Sequence, residues 1–451
     1  MQYNLNSLEQ EYDVKLDEVQ KQALSSLLHF IESEQDTSIC LSGKAGCGKT
    51  LILSMLTKIL TTNGYKVSSA TPTNKSKIIL EHTSNKKCNT IHGLLGLRPD
   101  LNILDFDASK LIFKPISKSL FQDKEILIID ECSMINDSLY ENLISKARNH
   151  DNIIIWCGDE CQLRPVNQDH ISKTFSNNEV IKLEKVYRQK EGKIYKVLDY
   201  LRNKPLYKFK SVEDNSGSII MYNNILQMLS DFKHLFKFAS DSKDLKVVKL
   251  ITYTNKRLTA LNQTIRKMIY NSDLEYNYGE ILTGYDNCKS EGYDVFNSMD
   301  YRVENCYPAS FKGLVAHKLF LTNQFGQNLQ VKILSRNNSE DDFSYIAKEL
   351  EKLRQRAIKT KSANDWRKYY QMNDSFLTPV DLIYDGRIIK RKSLDYGYCI
   401  SAHKSQSSTY QIILIDMENI YRCPNKEELR QMQYVALSRT SSDIIIYQKN
   451  D

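Results

Sequence analysis

The stretch Gly43-Lys44-Ala45-Gly46-Cys47-Gly48-Lys49-Thr50 constrains the fold of this chain more than any other. It fits the spacing GxxxxGK[ST], directly after the apolar run Ser38–Ser42 and directly before LILSMLTKIL, a good helix former. Strand, glycine-rich loop and helix in that order turn backbone N–H groups inward around an anion and aim the positive helix end at it. The spacing therefore predicts an α/β fold that holds a nucleotide by its phosphates. Gly43, Gly46, Cys47 and Gly48 form the cradle, Lys49 reaches the β/γ-phosphates, and Thr50 holds Mg²⁺. ATP and Mg²⁺ are the expected cofactors.

Short β-branched runs recur between helical patterns: Ser38–Ser42, Val67–Thr71, Ile126–Asp130 and Ile153–Gly158, then Val247–Thr254, Gly397–Ala402, Gln411–Asp416 and Asp443–Tyr447. Buried parallel strands alternating with helices leave this signature, and the two groups imply two α/β cores. At 451 residues the chain is too long for one core. Between Asn271 and Asp395 the pattern changes to short strand-like pieces, Leu314–Leu321 and Leu329–Leu334, followed by a charged helical stretch from about Glu340 to Gln371. This segment reads as an insertion into the second core, and Cys88–Asp123 as a smaller irregular one in the first.

The run Glu125–Asp130 is a buried strand that delivers Asp130 and Glu131 to the carboxyl edge of the sheet, where ligands bind in open α/β folds. Asp130 suits the Mg²⁺ shell, and Glu131 suits the base that orients and deprotonates an attacking water. A third strand runs into Gly158-Asp159-Glu160-Cys161-Gln162-Leu163-Arg164-Pro165-Val166, where the Gln162 amide can bond a γ-phosphate oxygen and water together. These residues define a nucleotide hydrolase or kinase and leave its task open.

Further motifs narrow the choice: Thr71-Pro72-Thr73-Asn74-Lys75, Thr90-Ile91-His92, Tyr187-Arg188-Gln189, Tyr253-Thr254-Asn255, His403-Lys404-Ser405-Gln406 and Tyr434-Val435-Ala436-Leu437-Ser438-Arg439-Thr440. In that order, with GDECQLRPV among them, the series resembles the superfamily 1 helicases, and GDxxQLxPV with an upstream TIH resembles their B group, the RecD/Dda-like helicases. The resemblance implies two RecA-like parallel-sheet cores and an ATP-dependent 5′-to-3′ single-stranded DNA translocase and DNA helicase. It implies core 1 at 1–185 with a pin insertion at 88–123, core 2 at 186–275 plus 395–451, and an SH3-like accessory insertion at 276–394.

The same resemblance assigns Gln20 to the adenine edge and makes Arg188 and Arg439 arginine fingers, catalytic together with Lys49, Glu131 and Gln162. Thr71, Thr73, Asn74, Thr90 and His92 in core 1, and Thr254, Asn255, Ser401 and His403 in core 2, would face the nucleic-acid backbone. Phe113 in KLIFKPI is the candidate pin residue, in competition with Phe106. Ser407 replaces the usual glycine after HKSQ and Ser401 the usual threonine before it, and Asn74 replaces a histidine found in Dda-like members. A Cβ at Ser407 would disfavour a left-handed backbone there by roughly 1 kcal/mol.

Single-stranded DNA and forked duplex are the implied partners, with replication or recombination proteins besides and a functional monomer as the acting form. A net charge of +7, from 62 Lys+Arg against 55 Asp+Glu, permits a polyanionic partner without identifying one. Ten scattered cysteines lack a zinc-ligand spacing, and the opening MQYNLNSLEQEYDVKLDE has neither the basic start nor the apolar core of a secretory signal. The expected setting is cytoplasmic, the host cytoplasm if the chain is viral, with no membrane partner. Three alternatives stay open at this point: an RNA helicase of the same superfamily, an ATPase that strips bound proteins, and a nucleic-acid-binding scaffold without turnover. The charged stretch 340–371 reads as a solvated helix or as a contact for nucleic acid or a partner.

Overall fold

The computed structural model describes residues 3–449 apart from 85, 167, 188–191, 216 and 441. It falls into two compact units, one of 1–98, 115–219 and 423–442, the other of 99–114, 220–422 and 443–451.

The first unit is built on a six-stranded sheet in the order Asn89–Thr90, Lys66–Thr71, Glu125–Ile129, Ile153–Gly158, Ser38–Gly43, Glu179–Leu183. Every neighbouring pair is parallel, so the carboxyl ends of these strands share one edge. Glu125–Ile129 is buried throughout, as expected of a strand covered on both faces. The helix Lys49–Thr62 turns Ile52, Met55, Leu56, Ile59 and Leu60 inward at helical spacing and buries them with Leu41, Ile128 and Ile155. That packing fixes the helix and, through it, the loop Lys44–Gly48 at the sheet edge.

The second unit contains parallel strands in the order Cys399–Ser401, Val248–Thr252, Ile412–Asp416, Ile444–Tyr447. Its insertion forms a five-stranded antiparallel sheet, ordered Asn328–Leu334, Leu314–Asn323, Asp300–Phe311, Ile281–Gly284, Leu394–Tyr396. Phe311 pairs with Leu314 across a two-residue turn in which Lys312 and Gly313 both have positive φ, 49° and 87°, the geometry that matches strand twist in a tight hairpin.

The two parallel cores and all eight expected runs are present, and the first sheet's two edge strands, Asn89–Thr90 and Glu179–Leu183, are additional to them. The charged stretch is two helices, Glu340–Thr360 and Ala363–Asn373, because Lys361 turns left-handed (φ 53°) and Ser362 caps the second. Its solvated reading holds for one side only. Arg354 is fully buried, paired with Glu351 at 2.8 Å, and donates to the carbonyls of Leu101, Ile103 and Leu104.

The compact units also divide the chain otherwise than at residues 185/186, 275/276 and 394/395. Helix Lys426–Leu437 packs with the first unit, where Arg430 donates to the carbonyls of Leu201 and Arg202 at 3.1 and 2.7 Å. Segment 99–114 packs with the second unit: besides the Arg354 bonds, Ala108 N donates to Ile388 O at 2.7 Å and Leu101 joins the cluster of Leu350, Phe376 and Leu382.

Candidate active site

Gly46 and Gly48 adopt φ of 79° and 90°, and Gly48 precedes the helix without any side-chain cap, so the first N–H groups of Lys49–Thr62 face the loop. A Cβ at Gly48 would stand 2.6 Å from Gln20 Nε2, and one at Gly43 would stand 2.5 Å from Cys47 Sγ. The Lys49 ammonium donates to Gly43 O at 2.7 Å and Lys44 O at 3.0 Å, spanning the cradle. Burial pulls the Lys49 pKa down, but Cys47, Cys157, Asp159 and Asp130 more than offset this and leave it raised, so the amine stays charged. Thr50 is exposed in the first turn of the helix.

Asp130 follows the strand Glu125–Ile129, anchored by donation from its N–H to Ala70 O at 3.1 Å. Its Oδ1 accepts from Glu131 N at 2.8 Å. Glu131 is left-handed at φ 57°, a conformation that costs an L-residue about 1 kcal/mol and is held only where the surroundings demand it.

Gln162 lies in the turn after Ile153–Gly158, its N–H bonded to Asp159 O at 3.1 Å. The side chain is buried, and its Oε1 has no hydrogen-bond partner among the described residues. A buried unpaired acceptor costs about 1–3 kcal/mol, which a ligand or water donor at this edge would recover.

Beneath Gln162 sits a group that the sequence did not reveal. Asp159, whose side chain is wholly inaccessible, accepts from Arg202 Nη1 at 2.9 Å and from Tyr434 OH at 2.7 Å. Tyr434 OH in turn lies 3.5 Å from Ala45 N in the phosphate loop. Lys44 pairs with Asp199 at 2.7 Å and reaches Tyr195 OH at 3.1 Å. Arg439 is buried in the same unit, donating to Val435 O at 2.9 Å and Ser438 Oγ at 2.8 Å. Arg188 lies outside the described residues.

Gln20 is engaged at both ends. Its Oε1 accepts from Asp17 N at 3.2 Å, completing a capping box at Glu18–Ser33, and its Nε2 donates to Cys47 O at 3.4 Å. Reading an adenine edge would require exchanging both bonds. Tyr187 stands beside it, its N–H donated to Gly46 O at 2.8 Å and its hydroxyl to Asp17, with the ring 46% exposed.

The residues expected along the strand divide by exposure. Thr71 is fully buried and donates to Thr73 O at 3.0 Å, which makes it a turn residue rather than an offered hydroxyl. Thr73 receives Ser76 N at 3.1 Å, and Thr90 caps Ile91–Leu94 by accepting from Gly93 N at 3.1 Å. Asn74 opens the helix Asn74–Ser84, partly exposed. Burial lowers the His92 pKa and favours the neutral ring.

In the second unit, Asn419 Oδ1 gathers Thr252 Oγ1, Tyr253 N, Thr254 N and Thr254 Oγ1 within 3.2 Å, leaving Asn255 exposed at the helix start. Ser401 is buried and accepts from Lys404 N at 3.3 Å, while the His403 ring lies 6.2 Å from that of Tyr253. Ser407 has φ 60°, the left-handed conformation anticipated at this glycine position. Phe113 begins a short strand and is 38% exposed, whereas Phe106 is buried under the Arg354 guanidinium.

A phosphate loop, an acid pair and an inward glutamine on one edge of a parallel sheet, with a second parallel core in the chain, define a RecA-like, nucleotide-binding phosphate-loop protein. A family described as an AAA domain matches residues 15–220. Protein R530 of Acanthamoeba polyphaga mimivirus is 25% identical over 94% of this chain and 97% of its own. The ATP-dependent DNA helicase Dda of enterobacteria phage T4 is 27% identical over 59% of this chain and 60% of its own. Among solved structures, the Pif1 helicase from Candida albicans superposes with a TM-score of 0.55 at 18% identity, over 97% of this chain and 95% of that one. The chain is thus similar in sequence to the Dda helicase and in fold to a Pif1 helicase. No described helix is long and apolar enough to cross a membrane.

Proposed function

We propose that this chain is an ATP-dependent DNA helicase that moves 5′ to 3′ along single-stranded DNA and opens forked duplex. The carrying observation is the convergence on one sheet edge of Gly43–Thr50, Asp130, Glu131 and Gln162, the last with a buried acceptor that lacks a partner. The uncapped helix start and the glycine cradle fit a nucleotide triphosphate, and Thr50 with Asp130 fits Mg²⁺, which would neutralise charge on the β- and γ-oxygens when bound.

Lys49 holds the phosphates, and Glu131 orients the attacking water and accepts its proton. Gln162 contacts the γ-phosphate and passes its presence or loss to Asp159 and Tyr434, which share its turn and its unit. Arg439, five residues beyond Tyr434, and Arg188 stabilise the transferring phosphoryl group. Tyr187, exposed beside Gln20 and the loop, offers a ring on which the base stacks. Thr73, Asn74, Thr90, His92, Thr254, Asn255, Ser401 and His403 grip the strand without reading bases, and Phe113 stacks at the fork. Residues 88–123 as a pin, 276–394 as an SH3-like insertion, action as a monomer and replication or recombination partners belong to the same reading.

Glu131→Gln tests it. The variant retains ATP binding and loses DNA-stimulated hydrolysis by at least about a hundredfold. Normal turnover in that variant removes Glu131 as the base, and stimulation by RNA alone transfers the motor to the other nucleic acid.

A further inference from the structure

We propose that Cys306, with His317 and Glu275, forms a peroxide-reactive thiol site on the antiparallel sheet of the second unit. There a hydroperoxide converts Cys306 to a sulfenic acid, and a small thiol then caps it as a mixed disulfide. This site is separate from the nucleotide chemistry and does not depend on it.

The sheet register creates the arrangement. Cys306 faces Leu319 and Pro308 faces His317, which makes Cys306 and His317 diagonal neighbours on one face of the hairpin. Cys306 Sγ lies 3.6 Å from His317 Nδ1, and His317 Nε2 lies 2.9 Å from Glu275 Oε2. Glu275 is itself fixed: its carboxylate accepts from Ser335 Oγ at 2.6 Å and from Arg336 N at 2.9 Å, and it is nearly buried. The Tyr276 ring meets the imidazole edge-on at 5.4 Å. A carboxylate on one ring nitrogen and a sulfur on the other favour an imidazolium beside the sulfur. The hydrogen bonds to Cys306 and to Glu275 raise the His317 pKa to about 9.

No other cysteine has this surrounding among the described residues. Cys161 and Cys288, also partly exposed, point at the carbonyls of Arg202 and Asp286, which hold a thiol proton in place, and burial pushes both up, Cys288 to about 11. The remaining cysteines are buried. In the reaction, the Cys306 thiolate attacks the terminal peroxide oxygen. An S–O bond forms as the O–O bond breaks, sulfur loses two electrons and the peroxide gains them. The leaving oxyanion takes the proton from His317 Nδ1, so the products are the sulfenic acid, neutral His317 and water or an alcohol. A second thiol then displaces the sulfenic oxygen as water and leaves the disulfide.

The test is substoichiometric hydrogen peroxide with dimedone on the reduced full-length chain near neutral pH, with adducts located by mass spectrometry. Cys306 is expected to label about tenfold faster than Cys161 or Cys288, and His317→Gln to lower its rate about tenfold while the other two keep theirs. Equal labelling of Cys306, Cys161 and Cys288 in the unaltered chain overturns the proposal whatever the variants do. So does an unchanged Cys306 rate in His317→Gln. Should that variant unfold, shown by labelling of Cys40 and Cys157, Glu275→Gln replaces it, with the same reduction expected and an unchanged rate again decisive against.

Discussion

Tyr434 and Asp159, 275 positions apart in sequence, meet through a 2.7 Å hydrogen bond, and Arg202 closes the triangle at 2.9 Å to each. Tyr434→Phe leaves the carboxylate with Arg202 and removes the hydroxyl beside Ala45. Loss of about 2 kcal/mol in chemical denaturation is expected, since a hydrogen bond to a buried charge is removed. ATP turnover falls about tenfold because the phosphate loop and the Gln162 turn lose their shared support. Arg202→Ala costs more, about 3–5 kcal/mol, because it strands a buried carboxylate.

Ser407 places a Cβ in a left-handed backbone. Ser407→Gly and Ser407→Ala both delete the hydroxyl, and only the first deletes the Cβ. Thermal denaturation should find the glycine variant more stable than the alanine variant by about 1 kcal/mol.

Arg354 links helix Glu340–Thr360 to segment 99–114 through bonds to Leu101, Ile103 and Leu104. Arg354→Met takes this donor from the carbonyls of Leu101 and Ile103 and leaves buried Glu351 without its cation, with Gln355 alone donating to it. Destabilisation of about 3–5 kcal/mol is expected. Hydrogen exchange in 99–114 should rise more than in the parallel strands of the same unit.

The raised pKa of His317 makes stability depend on pH. A protonated histidine favoured in the folded state contributes fully below its unfolded value near about 6.5, and that contribution is lost as pH rises through about 9. Glu275 behaves oppositely: its pKa is held low, against the effect of burial, by His317, Ser335 and Arg336, so its contribution is present above the ordinary carboxylate range and lost in acid. Denaturation midpoints of the unaltered chain should therefore decline from neutral to about pH 9. His317→Gln should flatten that decline, with Cys306, Tyr276 and Arg336 unchanged around it.

Period and spacing made the two parallel cores legible, because strands such as Glu125–Ile129, covered on both faces, must be continuously apolar. That Lys49, Asp130, Glu131 and Gln162 gather at one sheet edge was legible because each comes shortly after such a strand. Glu179–Leu183 is only partly buried at the sheet edge, so it lacks that apolar signal. Gln20 shows a different limit: its residue type suits adenine, yet here it completes a capping box. Contacts such as Tyr434 with Asp159, or His317 with Glu275 and Cys306, depend on packing between distant segments and leave no periodic trace.

The most direct measurement is strand displacement on duplexes carrying a single 5′ or a single 3′ tail, with ATP and Mg²⁺. Unwinding is expected from the 5′-tailed duplex, none from the 3′-tailed one, and none from either with Glu131→Gln. Unwinding from the 3′ tail alone would overturn the 5′-to-3′ direction.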